Sequence, residues 1–152
     1  MDRGHLDEIK RKLESYCAYQ ERCTFEVQQK VSAFLLSEEE EQAVIQHLKD
    51  NHFLNEQRFA EAFIQGKLRI NKWGRLKIKA ALQQKRVPKD LIEKAFQELN
   101  EKEYFEILQE LFLRKQKELS KEKDAWSQKQ KILRFLASRG FTQGECYSAL
   151  GD

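Results

Sequence analysis

The sequence contains few of the residues that interrupt regular secondary structure, with one proline and six glycines in 152 residues. It has no apolar run near the roughly 18 residues of a membrane span, and its first residues lack the apolar core of a signal peptide. Charged residues make up 35% of the chain and hydrophobic residues 40%. This composition predicts an all-α protein that resides in the cytoplasm and does not contact a membrane.

The sequence also lacks the patterns of catalytic and metal sites. Cys17, Cys23 and Cys146 do not have zinc-ligand spacing and cannot all pair within one chain, which favours reduced thiols. His47 and His52 lie five positions apart, so they would not share a helix face. A glycine-rich phosphate loop, an H-E-x-x-H motif and a nucleophile elbow are missing. We therefore expect no catalytic residue, no metal and no cofactor.

Positive charge is concentrated in one segment. Residues 1–61 contain 8 basic and 13 acidic residues, residues 62–89 contain 9 and none, and residues 90–152 contain 11 and 12. An exposed helix face usually mixes both signs, because opposite charges four positions apart attract and like charges repel. Nine cations without an acid therefore indicate a surface for a polyanion or an acidic partner.

Apolar residues recur every three or four positions in nine segments, which predicts nine helices and no sheet. Residues with the chemistry of helix starts and breaks divide these segments. They are Thr24, Ser37, Asn55, Trp73-Gly74, Pro88 in the first turn of its helix, and Gly140. The charged segment 114–131 lacks glycine and proline, so we interpret it as an overlong helix or a hinge.

The helices fall into repeats, because one apolar spacing of +4, +5, +5, +4 occurs twice. The two copies are Ile78, Leu82, Val87, Ile92, Phe96 and Ile132, Leu136, Phe141, Cys146, Leu150. A weaker copy is Val27, Val31, Leu36, Glu41, Ile45. We predict one domain, 1–152, of three tandem three-helix repeats, 1–53, 54–100 and 101–152. Stacking of such units would give an elongated, curved molecule.

Three segments carry a resemblance to the RecX family: FLNEQRFAEAFI (53–64), WGRLKIKAALQQKRV (73–87) and KILRFLASRGFTQGECYSAL (131–150). The resemblance implies tandem three-helix repeats and a role in DNA recombination, repair and the SOS response. Members of the family bind the recombinase RecA, usually on its DNA filament, and modulate it, commonly as inhibitors, without catalysis. This chain departs from the family pattern at two places. Asn55-Glu56 replaces the family's pair of acidic residues, and Arg86 replaces its glycine before the last helix of the second repeat.

Six basic residues of the second repeat are the candidate partner-binding side chains, and we expect Lys72, Arg75 and Lys79 among them to be largely exposed. Three fall on one flank of the helix that follows Gly74, whereas Lys77 falls on the other flank. The other three end the preceding helix, where they also complement the helix dipole. The six are Lys67, Arg69, Lys72, Arg75, Lys79 and Arg86.

Other interpretations remain open. Trp73 and Trp126 are favoured as core residues, although either could stack on a base. The chain could instead be a sequence-independent or helix-turn-helix DNA-binding protein, although Asp90, Glu93 and Glu98 disfavour a recognition helix there. It could also be a helical-repeat scaffold for another protein. We expect a monomer that binds the RecA filament and contacts DNA weakly or through RecA.

Overall fold

A computed structural model describes residues 3–149, which form nine α-helices and one short 3-10 helix, with no strand in that range. The prediction of nine helices and no sheet is confirmed for this part of the chain. The helices are α1 Arg3–Tyr19, α2 Thr24–Val31, α3 Glu38–Asp50, α4 Glu56–Arg69, α5 Arg75–Gln84, α6 Lys89–Gln97, α7 Glu101–Glu118, α8 Ala125–Ser138 and α9 Gln143–Ala149. The 3-10 helix, Ser32–Phe34, follows α2.

No helix formed by residues 3–149 combines the length and the apolar character that crossing a membrane requires.

Side-chain caps begin two of the helices as predicted. The Ser37 hydroxyl accepts a hydrogen bond from the Glu40 amide at 3.1 Å, and the Glu40 carboxylate accepts from the Ser37 amide at 3.0 Å. The Asn55 side-chain oxygen accepts from the Arg58 amide at 2.8 Å. Each bond satisfies an amide that has no partner within its own helix.

Three details of the predicted boundaries are wrong. Thr24 is the first residue of α2 and Cys23 occupies the cap position. Pro88 precedes α6 instead of lying in its first turn, and its carbonyl accepts the first intrahelical bond. The segment 114–131 is not one overlong helix, because α7 ends at Glu118 and α8 begins at Ala125.

The five-residue step of the apolar repeat marks a helix end of one specific geometry. At the end of α8, the Phe141 amide donates to the Leu136 carbonyl at 3.2 Å and the Gly140 amide to the Ala137 carbonyl at 3.0 Å. Gly140 has φ of 100°, in the left-handed region that favours glycine. This is a Schellman turn, whose longer bond joins residues five apart and whose apolar pair packs across it.

The end of α5 has the same turn with a less suitable residue. The Val87 amide donates to the Leu82 carbonyl at 3.2 Å, and the Arg86 amide donates to the Gln83 carbonyl at 3.0 Å. Arg86 has φ of 60°, a conformation that costs an L-residue about 1–2 kcal/mol. Leu35, with φ of 54°, precedes Leu36 in the weaker copy of the repeat, just as Arg86 precedes Val87. The repeated sequence spacing is therefore the spacing of a repeated turn.

The described chain divides into two compact units: residues 3–62 with Leu82–Ala95, and Phe63–Ala81 with residues 96–149. Helices α4, α5 and α6 contribute residues to both. In the first unit, α1, α2 and α3 enclose a core of Ile9, Leu13, Cys17, Val27, Val31, Val44, Ile45, Leu48 and Leu54. In the second, α7, α8 and α9 pack together. The most buried side chains of the second unit include Ile64, Leu68, Ile78, Tyr104, Leu108, Ile132, Leu136 and Phe141.

The three cysteines are free and buried. Burial raises the pKa of the Cys17 and Cys23 thiols to about 11, and it also raises the pKa of the Cys146 thiol. Thiols of this kind are weak nucleophiles at neutral pH, which is typical of structural cysteines.

Leu82→Ala and Leu136→Ala should each lower the free energy of unfolding by about 2–5 kcal/mol, because both side chains are fully buried and each truncation leaves a cavity. The measurement is urea unfolding followed by circular dichroism. Leu113→Ala is the matched control on the exposed side of α7, with an expected change of about 0.5 kcal/mol. Equal effects at all three positions would contradict this packing.

Candidate partner-binding surface

The N-terminus of α5 is held by the turn between α8 and α9. The Gly74 amide donates to the Arg139 carbonyl at 2.7 Å, and the Leu76 amide donates to the Gly140 carbonyl at 3.0 Å. A Cβ atom on Gly74 would lie 2.5 Å from backbone atoms of Gly140 and Phe141. The two backbones therefore touch, and only glycine permits this contact at position 74.

Arg75 is the centre of an ion-pair cluster at the same place. Its guanidinium binds both carboxylate oxygens of Glu101, at 2.7 and 3.1 Å, and its Nε donates to Glu145 at 2.7 Å. The guanidinium also lies 4.3 Å from the centroid of the Tyr104 ring. The Tyr104 hydroxyl accepts from the Arg75 amide at 3.0 Å and donates to Glu145 at 2.9 Å. Arg75 therefore joins α5 to α7 and α9.

The predicted exposure of Arg75 is wrong, because its side chain is only 29% exposed and that of Glu145 only 10%. The sequence gives no warning of this, since both acidic partners lie outside the basic segment. An arginine suits the position, because its planar guanidinium can satisfy two carboxylates at once.

The cluster shifts the pKa of Glu101 and of Tyr104. Hydrogen bonds from Arg75 lower the pKa of the Glu101 carboxyl, and burial raises the pKa of the Tyr104 phenol. Glu101 is therefore ionised and Tyr104 neutral at neutral pH. Because the pKa of Glu101 is lower in the folded state, its stabilising effect is present above the ordinary value of 4.5 and is lost as the pH falls through the folded pKa.

Arg69 has an acidic partner from α7 as well. Its guanidinium donates to both oxygens of Glu103, at 2.5 and 3.1 Å, and this bond lowers the pKa of the Glu103 carboxyl. The side chain of Asn100 accepts from the Glu103 amide at 3.1 Å and so caps α7. Arg69 is exposed, but its charge is compensated by the carboxylate of Glu103.

Arg86 does not lie on the flank of α5 to which the helical pattern assigns it. Helix α5 ends at Gln84, and the left-handed conformation of Arg86 turns the chain away from the helical path. Its exposed guanidinium lies 4.6 Å from the centroid of the Phe25 ring, within the first unit. Helical-wheel reasoning fails here because it extends α5 by two residues.

Lysines, in contrast, keep uncompensated charge around Trp73. The ammonium groups of Lys67 and Lys77 lie 4.8 and 4.7 Å from the centroids of the Trp73 rings. Within residues 3–149, neither they nor Lys72 and Lys79 form an ion pair with a carboxylate. Ammonium groups over an indole face make a favourable cation–π contact. We call Lys67, Lys72, Trp73 and Lys77 the Trp73–lysine cluster.

The turn between α4 and α5 assembles this cluster. Lys72 has φ of 57°, and its ammonium group donates to the Arg69 carbonyl at 3.2 Å. The Trp73 amide donates to the Lys67 carbonyl at 3.1 Å, which brings the indole back to the end of α4. Lys77 is not among the predicted site residues. The sequence feature that could have identified it is Trp73, which lies between two basic helix ends.

The exposure of the predicted site residues is mixed. Arg69 and Arg86 are exposed, whereas Lys67, Lys72, Arg75 and Lys79 are half-buried. The prediction that Lys72, Arg75 and Lys79 are largely exposed is therefore wrong.

The tryptophans differ from each other. Trp73 is half-buried beside two ammonium groups, but Trp126 is 68% exposed, so its interpretation as a core residue is wrong. Trp126 is the second residue of α8, and its amide donates to the side chain of Asp124, which caps the helix. A half-buried indole next to unpaired cations can bind phosphate or carboxylate groups and can stack on a base.

Two family models match the sequence. The second three-helix domain of RecX matches residues 55–95, and the third three-helix domain of RecX matches residues 101–150. Together the two models cover more than half of the chain.

Curated relatives and solved structures agree with these models. The chain is 33% identical over 129 residues to the regulatory protein RecX of Lactobacillus johnsonii, covering 85% of this chain and 47% of that protein. It is 31% identical over 141 residues to the regulatory protein RecX of Halalkalibacterium halodurans, covering 90% and 51%. The chain thus spans about half the length of these relatives.

The fold is shared with two crystal structures. RecX from Lactobacillus salivarius superposes with a TM-score of 0.87 at 20% identity, covering 96% of this chain and 94% of that chain. Another crystal structure of regulatory protein RecX gives a TM-score of 0.84 at 16% identity, covering 97% and 73%.

Arg75→Gln should lower the free energy of unfolding by about 2–3 kcal/mol at neutral pH, since it leaves a buried carboxylate and phenol without the guanidinium. Lys79→Gln on the same helix is the control, with an expected change within about 0.5 kcal/mol. Urea unfolding at neutral and at acidic pH provides the measurement. The cost of Arg75→Gln should shrink as the Glu101 carboxylate protonates. A cost equal to that of the control, or one independent of pH, would contradict the structural role.

Proposed function

Because the chain belongs to the RecX family, we propose that it binds the recombinase RecA on its DNA filament and modulates RecA as an inhibitor, without catalysing a reaction. The observation that carries the surface assignment is the absence of carboxylate partners, within residues 3–149, for four lysines of α4, α5 and the turn between them. The protein acts as a cytoplasmic monomer in this proposal.

The lysines Lys67, Lys72, Lys77 and Lys79 provide the contact, and the indole of Trp73 lies beside Lys67 and Lys77. Lysine ammonium groups are strongly hydrated point charges on flexible stems, so they adapt to phosphates and carboxylates of a partner without fixed geometry. The sequence pattern also assigns three arginines to this surface, but their side chains are already engaged within the protein. Arg69 binds Glu103, Arg75 binds Glu101, and Arg86 lies over Phe25.

Binding, and not chemistry, is what such a cluster supports. Ammonium groups and an indole attract anions, but they do not form the pair of a nucleophile and a base that covalent catalysis needs. Specific recognition of a DNA groove is also disfavoured, because α6 presents Asp90 and Glu93 to solvent. These features favour a sequence-independent contact made on a preformed filament.

Reversal of the four lysines to glutamate should weaken binding to a RecA–DNA filament by tenfold or more, since each site loses an attraction and gains a repulsion. The inhibition of the DNA-dependent ATPase of RecA should be lost in parallel. The matched control reverses Lys94, Lys102, Lys117 and Lys121, which are exposed and carry the same total charge. Equal weakening in both variants would show that binding depends on net charge and not on the position of the four lysines. A parent protein that neither binds the filament nor inhibits RecA would contradict the proposed function.

On DNA alone, binding should be weak and independent of sequence. Four cations on phosphates give a slope of about −4 for log affinity against log salt on duplex DNA. Filter binding or fluorescence anisotropy across a salt series measures the slope, which should approach zero in the four-lysine variant. Tight binding to one duplex sequence that persists at high salt would favour a DNA-binding protein instead.

A further inference from the structure

Helix α8 presents a second stretch of uncompensated positive charge. Residues 125–144 contain four basic residues and no acidic residue. Lys131 pairs with Glu122 at 2.6 Å, and the guanidinium of Arg139 lies over an aromatic ring of its own helix. Lys129 and Arg134 have no carboxylate partner among residues 3–149. Their charge is thus available to an external group.

An open groove of about 380 Å³ lies between α8 and α9. Leu133, Ala137 and Cys146 provide apolar surface in it, and Arg134 and Tyr147 line it as well. The ammonium group of Lys129 lies 5.6 Å from the centroid of the Tyr147 ring. The groove therefore combines apolar surface with two cations at its margin.

The face of α8 that lines the groove continues for another turn toward the start of the helix and ends in an exposed tryptophan. Trp126, Gln130, Leu133 and Ala137 follow steps of four, three and four residues, so they lie on one face of the helix. Trp126 is 68% exposed, which is unusual for so large an aromatic side chain. An exposed apolar stripe with a polar rim is typical of a protein-interaction site.

The one acidic residue of α9 does not oppose a negatively charged ligand. The Glu145 carboxylate accepts hydrogen bonds from Arg75, Tyr104 and the Thr142 amide, and its side chain is 10% exposed. The residues that line the groove, all of them within the described chain, include no carboxylate. The local field is therefore positive.

We propose that the α8–α9 groove binds an acidic peptide segment that inserts one aromatic or aliphatic side chain against Leu133, Ala137 and Cys146. Arg134 and Lys129 pair with carboxylates that flank this anchor. A peptide is favoured over a nucleic acid strand, because the groove offers an apolar floor and only two cations, whereas a backbone track needs a row of them. This site lies on helices other than those of the Trp73–lysine cluster and is independent of it.

The test is fluorescence anisotropy with a short labelled peptide of aspartate and glutamate around one phenylalanine. We expect saturable binding that weakens roughly tenfold when the phenylalanine is replaced by alanine, and that disappears when the acids are replaced by lysine. No saturable binding, equal binding without the phenylalanine, or tighter binding of a labelled single-stranded oligonucleotide would overturn the proposal.

Variants of the protein locate the site. Arg134→Glu and Ala137→Glu each place a carboxylate in the groove at a position where the helix tolerates substitution, and each should weaken peptide binding by roughly tenfold. Lys94→Glu, on the exposed side of α6, makes the same charge change as Arg134→Glu and should alter binding by less than about twofold. Equal loss in Lys94→Glu would overturn the assignment to the groove, whereas retained RecA-filament binding in Arg134→Glu supports two separate sites.

Discussion

The described structure depends on one kind of contact between helix starts, and this contact occurs twice. In each case the residue that begins the second helix of one repeat binds the glutamate that begins the first helix of the next repeat. Thr24 begins α2, and its hydroxyl donates to the carboxylate of Glu56, which begins α4, at 2.7 Å. Arg75 begins α5, and its guanidinium binds Glu101, which begins α7. A carboxylate is favoured at a helix N-terminus by the helix dipole, so each acid stabilises its own helix and the contact.

The basic segment contains cations that pair with a carboxylate and cations that do not. Arginine, with five donors in a plane, meets carboxylates that come from other helices, as Arg69 and Arg75 do. Lys85 is also compensated, by Glu26 at 3.0 Å in the first unit. The remaining lysines around Trp73 keep their charge. The number of cations in the sequence therefore overstates the charge that a partner would meet.

Local patterns predicted the helices, and long-range pairing limited the prediction of the site. The helix end between Leu136 and Phe141 could be predicted from the +5 spacing of these apolar residues, because a Schellman turn has a fixed length. The pairing of Arg75 was not, since its partners lie 26 and 70 positions away in the chain. Periodicity also cannot tell which way a large side chain faces in the first turn of a helix, which is why Trp126 was misassigned. The proximity of Lys67 to Trp73 depends on the left-handed conformation of Lys72, which helical periodicity cannot predict.

The central claim is that the arginines hold the fold and the lysines bind the partner. Two double variants that each remove two positive charges test it directly: Arg69→Gln with Arg75→Gln, and Lys67→Gln with Lys77→Gln. The free energy of unfolding and the affinity for a RecA–DNA filament are measured on both. The account predicts that the arginine variant loses stability but, where folded, keeps its affinity, and that the lysine variant keeps its stability but binds more weakly. Equal losses of affinity, or a lysine variant that binds like the parent, would contradict it.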